Sequence, residues 1–132
     1  MSSIKKKVTY WSPHISQVAT VKAVINSAKS LKKYSNSYFK PEIIDVFGEW
    51  EDINQKNSEI DFYKFRGLHF INKISSNGFF LSRIKYILIF IFSIYPLLIY
   101  LKNKKPNFLI IHLMTSLPLF LNIIFRFKTK II

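Results

Sequence analysis

The chain has 132 residues, room for one domain of roughly 100–150 residues but not for two. It has no cysteine, which excludes a disulfide framework, a thiolate metal site and a thiol nucleophile, and makes a reducing compartment the expectation. Its net charge of +13 comes from 20 basic and 7 acidic side chains, and all the acids fall between Glu42 and Asp61, so both flanks are purely basic.

Lys5, Lys6 and Lys7 precede an apolar run, Val8 to Trp11, that stops at Ser12-Pro13-His14. That run is far shorter than the ~7–15 residues of a signal-peptide core, so the expectation is a chain that is not secreted. Lys7 to Trp11 predicts a first strand, ended by a proline that cannot continue a ladder. From Val18 to Lys33 the positions Val18, Val21, Val24, Ile25, Ala28 and Leu31 recur at helical spacing, with Ser16 as N-cap. Tyr34 to Lys40 predicts a turn, and Ile43 to Phe47 a second strand with Gly48 at its exit. This strand–helix–strand unit has the length of a right-handed parallel crossover. Glu49 to Glu59 predicts an exposed acidic connection, and Ile60 to Phe65 a short third strand. After a break at Asn72 to Gly78, a long apolar helix runs over about 79–104. Phe108 to Ile111 predicts a fourth strand, Leu117 to Phe127 a helix entered through Pro118, and Thr129 to Ile132 the start of a fifth strand. A strand barely begun leaves sheet backbone unpaired, so the expectation is the truncated front of a longer protein.

Hydropathy alone offers another organisation. Tyr86 to Leu101 and Pro106 to Phe125 are uncharged runs of sixteen and twenty residues, which together describe a two-helix membrane hairpin (86–101, 106–125) in a small basic protein without catalysis. The first run would be about 24 Å long as a helix, short of the ~30 Å hydrocarbon core, and it contains Pro96. The second holds Pro106, Asn107, His112, Thr115, Ser116, Pro118 and Asn122, a polar load costly in lipid. Lysines on both sides give no orientation. A helix over Phe79 to Leu101, buried on the sheet or lying at a bilayer surface, accommodates the same residues.

The basic excess points to an anionic partner: nucleic acid, a phospholipid surface or a phosphorylated substrate. Seventeen of the 20 basic residues are lysine, whereas base readout favours the planar fork of arginine, so no specific nucleic acid is expected. The scattered His14, His69 and His112 and the absence of an Asp-x-Asp pair predict no metal. No Walker-type loop, Gly-x-Ser-x-Gly elbow or Gly-x-Gly-x-x-Gly is present.

Four segments carry a resemblance to a known family. They are the opening strand and loop Lys7-Val-Thr-Tyr-Trp-Ser-Pro-His-Ile-Ser-Gln-Val-Ala-Thr20, the second strand Lys40-Pro-Glu-Ile-Ile-Asp-Val-Phe-Gly-Glu-Trp50, the boundary Lys104-Lys-Pro-Asn-Phe108, and the strand end Ile110-Ile-His112. Together they resemble the N-terminal, acceptor-side domain of family 4 glycosyltransferases of GT-B architecture. Asn107 stands where that family usually has aspartate, Ile110 stands where it often has a first histidine, and no glycine lies between Trp11 and Thr20.

The resemblance implies an α/β fold, a Rossmann-like parallel sheet with flanking helices. It also implies a retaining hexosyltransferase activity that moves a sugar from a nucleotide sugar, a co-substrate rather than a bound cofactor, to a lipid-linked or polysaccharide acceptor. The catalytic C-terminal domain would be missing, leaving the fragment inactive alone, and the long helix would dock peripherally on the anionic inner face of the cell membrane. The resemblance makes His112 the catalytic candidate, holding a sugar hydroxyl near the reaction centre, and His14, Ser16, Gln17 and Glu49 the substrate-binding candidates. Each has a plainer alternative: His112 as a loop or capping histidine, His14 and Ser16 as turn and cap residues, and Asp45 and Glu49 as solvated surface.

Overall fold

Val8 and Tyr10 turn to one side of a strand and Thr9 and Trp11 to the other, and all four are buried, as in a parallel sheet covered on both faces. The computed structural model describes residues 5–15, 19–56 and 59–132. The strand is β1 (Lys6–Trp11), followed by α1 (Ala19–Tyr34), β2 (Phe39–Asp45), α2 (Glu51–Lys56) and β3 (Asp61–Lys64). After a 3-10 turn (His69–Ile71) come α3 (Phe79–Lys104), β4 (Phe108–Ile111), α4 (Ser116–Phe125) and β5 (Lys130–Ile131). The strands form one parallel open sheet in the order β3-β2-β1-β4-β5. From β1 the chain moves outward to β2 and β3, and α3 then carries it back across the sheet to β4. This is a Rossmann-like arrangement with its switch point between β1 and β4.

Right-handed crossovers put α1 on one face and α3 and α4 on the other. Two buried clusters match these faces. Val21, Val24, Ile25 and Ala28, at the i, i+3, i+4, i+7 spacing of one helical stripe, pack α1 on Val8, Tyr10 and Ile43. Leu97, Tyr100 and Leu101 of α3 and Leu117 and Leu121 of α4 pack on Trp11, Ile44 and Leu109. On this second face Thr9 contacts Tyr100, whose hydroxyl donates to Glu42, and Lys7 pairs with the same carboxylate at 2.8 Å.

Three expectations are corrected. β2 begins at Phe39, not Ile43, and ends at Asp45. Lys6 N–H donates to the Tyr38 carbonyl, so by the alternation of a parallel ladder Pro41 turns its nitrogen to the opposite side, where pairing with β3 starts only at Glu42. The acidic connection contains the short helix α2, and Glu49 before it is buried rather than exposed. The run 106–125 is divided between β4 and the ten-residue α4, so it forms no continuous second arm of a hairpin. Asn107, at the family's aspartate position, has a structural task here: its Oδ1 accepts from Lys7 N–H at 2.8 Å and its own N–H donates to the Lys7 carbonyl at 3.0 Å, tying β4 to β1.

Candidate functional site

The C-terminal ends of β1, β2 and β4 lie side by side, and each carries polar groups into a buried setting. Beyond β1, Ser12 and His14 are buried, His14 with 7% exposure. His14 Nδ1 lies 3.4 Å from the Ser12 carbonyl, and since a carbonyl only accepts, this weak contact places the proton on Nδ1 and leaves Nε2 as acceptor. Its ring meets Trp50 edge-on at 4.7 Å. Burial lowers the His14 pKa below the ordinary value of 6.5, opposed by the backbone contacts and by the charge of Asp45, so the imidazole is neutral at neutral pH.

β2 ends at Asp45, and the chain then folds over its own carboxyl groups. Asp45 Oδ1 accepts from Gly48 N–H at 2.8 Å, and Glu49 Oε2 accepts from Phe47 N–H at 2.8 Å. The reversal needs glycine: Gly48 has φ +80, and a Cβ there would stand 2.9 Å from His69 Nδ1. Asp45 is 1% and Glu49 9% exposed. Burial, reinforced by the adjacent Asp45 carboxylate, pushes the Glu49 pKa well above 4.5. A buried carboxyl kept protonated is a hydrogen-bond donor, and the ionised neighbour an acceptor, which equips the pair to hold a hydroxyl or pass a proton. The solvated-surface alternative for these acids is thereby corrected.

His112 follows β4 directly. Its N–H donates to the Trp11 carbonyl at 3.1 Å, fixing it at the switch point, and its ring lies nearly parallel to Tyr10 with centroids 6.2 Å apart. Ile110 packs in the α1-side cluster with Tyr10 and Trp50, and His112, two residues on, belongs to that same face. Ser16 and Gln17 lie outside the described residues.

Among the described residues, seven buried side-chain atoms have no hydrogen-bond partner, and six of them sit at these strand ends: Trp11 Nε1, Ser12 Oγ, Asp45 Oδ2, Glu49 Oε1, Trp50 Nε1 and His112 Nε2. Leaving such groups unpaired costs about 1–3 kcal/mol each, so their concentration marks a place organised for a polar ligand rather than for stability. The structure thus gathers His14 and Glu49 around Trp50, and places His112 at the adjoining strand end. Trp11, Ser12 and Trp50 were missed from sequence. Trp50 had a signal, an indole between two acids directly after a strand-ending glycine. No group of three His, Asp or Glu side chains suited to a metal ion occurs among the described residues.

In comparison with known proteins, no family model, curated protein or solved structure matches the chain at a significant level.

Proposed function

We propose that the chain is the acceptor-side half of a GT-B glycosyltransferase, acting with a second, donor-holding domain to move a sugar from a nucleotide sugar to a lipid-linked or polysaccharide acceptor at a membrane surface. The observation that carries this reading is the cluster of unpartnered donors and acceptors at the switch-point edge of a doubly wound parallel sheet, the edge at which such sheets bind ligands. Neutral His14, protonated Glu49 and the Asp45 acceptor suit a ligand rich in hydroxyls, each of which both donates and accepts. The indole faces of Trp11 and Trp50 suit the apolar side of a pyranose ring. A reading in which α3 alone anchors a non-catalytic protein in lipid draws on its length and apolar composition.

Saturation-transfer NMR of the chain with a panel of nucleotide sugars and a short-chain polyprenyl phosphate sugar tests the site. Saturation of sugar protons in the native chain, lost in His112→Ala and Glu49→Gln but kept in Lys73→Ala, is the expected result. No saturation with any sugar, or equal saturation in all variants, would remove the reading. In the protein with its donor-holding domain, His112→Ala lowers turnover about tenfold or more, the equivalent of about 1.4 kcal/mol from one lost hydrogen bond.

A further inference from the structure

At the opposite, N-terminal edge of the sheet the chain builds a second feature. The C-terminal ends of α3 and α4 and the starts of β1, β4 and β5 enclose an open groove of about 580 Å³. Six cations line it, Lys6, Lys102, Lys105, Arg126, Lys128 and Lys130, and no carboxylate does. The sequence disperses these residues over 125 positions, and the fold brings them to one rim. Two helix C-termini face the same region, and their partial negative charge favours a few cations there. That effect acts within one turn of each helix end, and so accounts for Lys102, Lys105 and Arg126 but not for Lys6, Lys128 or Lys130.

Beside the groove the last turn of α4 presents apolar side chains to solvent: Ile123 at 75%, Ile124 at 53% and Phe125 at 51% exposure, directly before Arg126. The exposed face continues through Leu119 and Phe120 to the outer side of α3. A nucleic acid matches a basic groove but not a contiguous apolar rim, and a protein groove matches the apolar face but not six uncompensated cations. A bilayer bearing anionic headgroups matches both, with phosphates among the cations and apolar side chains at the acyl boundary.

We propose that this groove is a headgroup site for anionic phospholipid, seating the domain on a membrane through the C-terminal ends of α3 and α4. The proposal rests on the membrane-facing part of the function above but not on sugar transfer, and its assay uses no sugar, so either can fail alone. Co-sedimentation of the chain with phosphatidylcholine vesicles, with and without phosphatidylglycerol, is the test. The chain binds the phosphatidylglycerol vesicles, and the triple variant Arg126→Gln/Lys128→Gln/Lys130→Gln binds roughly a hundredfold more weakly, since each cation near such a surface contributes about a fivefold gain.

The variant Lys22→Gln/Lys29→Gln/Lys33→Gln removes the same charge from α1 and is expected to bind as the native chain does. Ile123→Ser/Phe125→Ser weakens binding while keeping every charge, and circular dichroism confirms that each variant is folded. Equal loss in both lysine-depleted variants would show that net charge alone acts, and would overturn the site. Failure to bind the anionic vesicles, or equal binding to pure phosphatidylcholine, would overturn it as well. So would release from vesicles by inorganic phosphate at low concentration, which would make the groove a free-phosphate site, or tighter binding to single-stranded RNA than to vesicles.

Discussion

Glu49 and His14 meet the same turn after β2 but respond oppositely to pH. Burial keeps Glu49 protonated where a free glutamate is ionised, so above 4.5 the folded chain holds a proton that the unfolded chain has released, and stability declines as pH rises toward the raised folded value. Burial keeps His14 neutral, so below 6.5 the unfolded chain takes up a proton the folded chain refuses, and stability declines as pH falls. Glu49→Gln retains an acceptor for Phe47 N–H and removes the first slope. Urea midpoints measured from mildly acidic to mildly alkaline pH are expected to fall for the native chain relative to Glu49→Gln, by up to about 1.4 kcal/mol per pH unit. Parallel curves would show that Glu49 titrates alike folded and unfolded. None of this was legible in the sequence, where Asp45 and Glu49 border an acidic run and look solvated. Only the closure of Val46 to Trp50 over the strand end buries them. The place of His112 was legible, because a short apolar strand ending in a polar residue announces its own edge.

At the scale of elements, α3 is fixed to the sheet by a polar chain as well as by its apolar stripe. Thr9 donates to the Tyr100 hydroxyl, which donates to Glu42, and Lys7 completes the neutralisation of that carboxylate. Burial, together with the Glu42 hydrogen bond, raises the Tyr100 pKa, so the phenol stays a donor at any physiological pH. Tyr100→Phe keeps the ring and leaves both the buried Thr9 hydroxyl and Glu42 short of a partner. Its expected cost in chemical unfolding is about 1–3 kcal/mol with an unchanged m-value, and a loss below a few tenths would mean that water replaces the hydroxyl. The helices and strands with a clean period, β1, α1, β3 and β4, were legible to within a residue or two. β2 was not, because Pro41 and the polar residues before it suggest a turn, and only the late start of β3 lets a proline stand in that ladder. The strand order was equally hidden, since it depends on where α3 returns the chain and not on any local pattern.

Across the whole molecule, the choice for α3 is between lying on the sheet and crossing a bilayer. At 26 residues it is about 39 Å long, enough to span the ~30 Å hydrocarbon core. To do so it would have to leave the sheet. Detachment exposes Leu97, Tyr100 and Leu101, a loss of roughly 2 kcal/mol each, and strands the Glu42 carboxylate and Thr9 without their phenol. A span beginning at Phe79 would also carry Arg83 and Lys85 into lipid, and Lys85 gives up hydrogen bonds of 3.0 and 2.9 Å to the carbonyls of Asn72 and Ile74. Against this, an interfacial seat uses the residues the fold already leaves outside: Phe80, Ile84, Ile87 and Ile91 on α3, with Ile123 and Ile124 on α4. In membranes from cells producing the chain, an alkaline carbonate wash is therefore expected to release it to the supernatant. Retention in the pellet, with Tyr100→Phe retained equally, would mean that α3 has left the sheet for the bilayer and that the sheet and its buried strand-end cluster do not survive on the membrane.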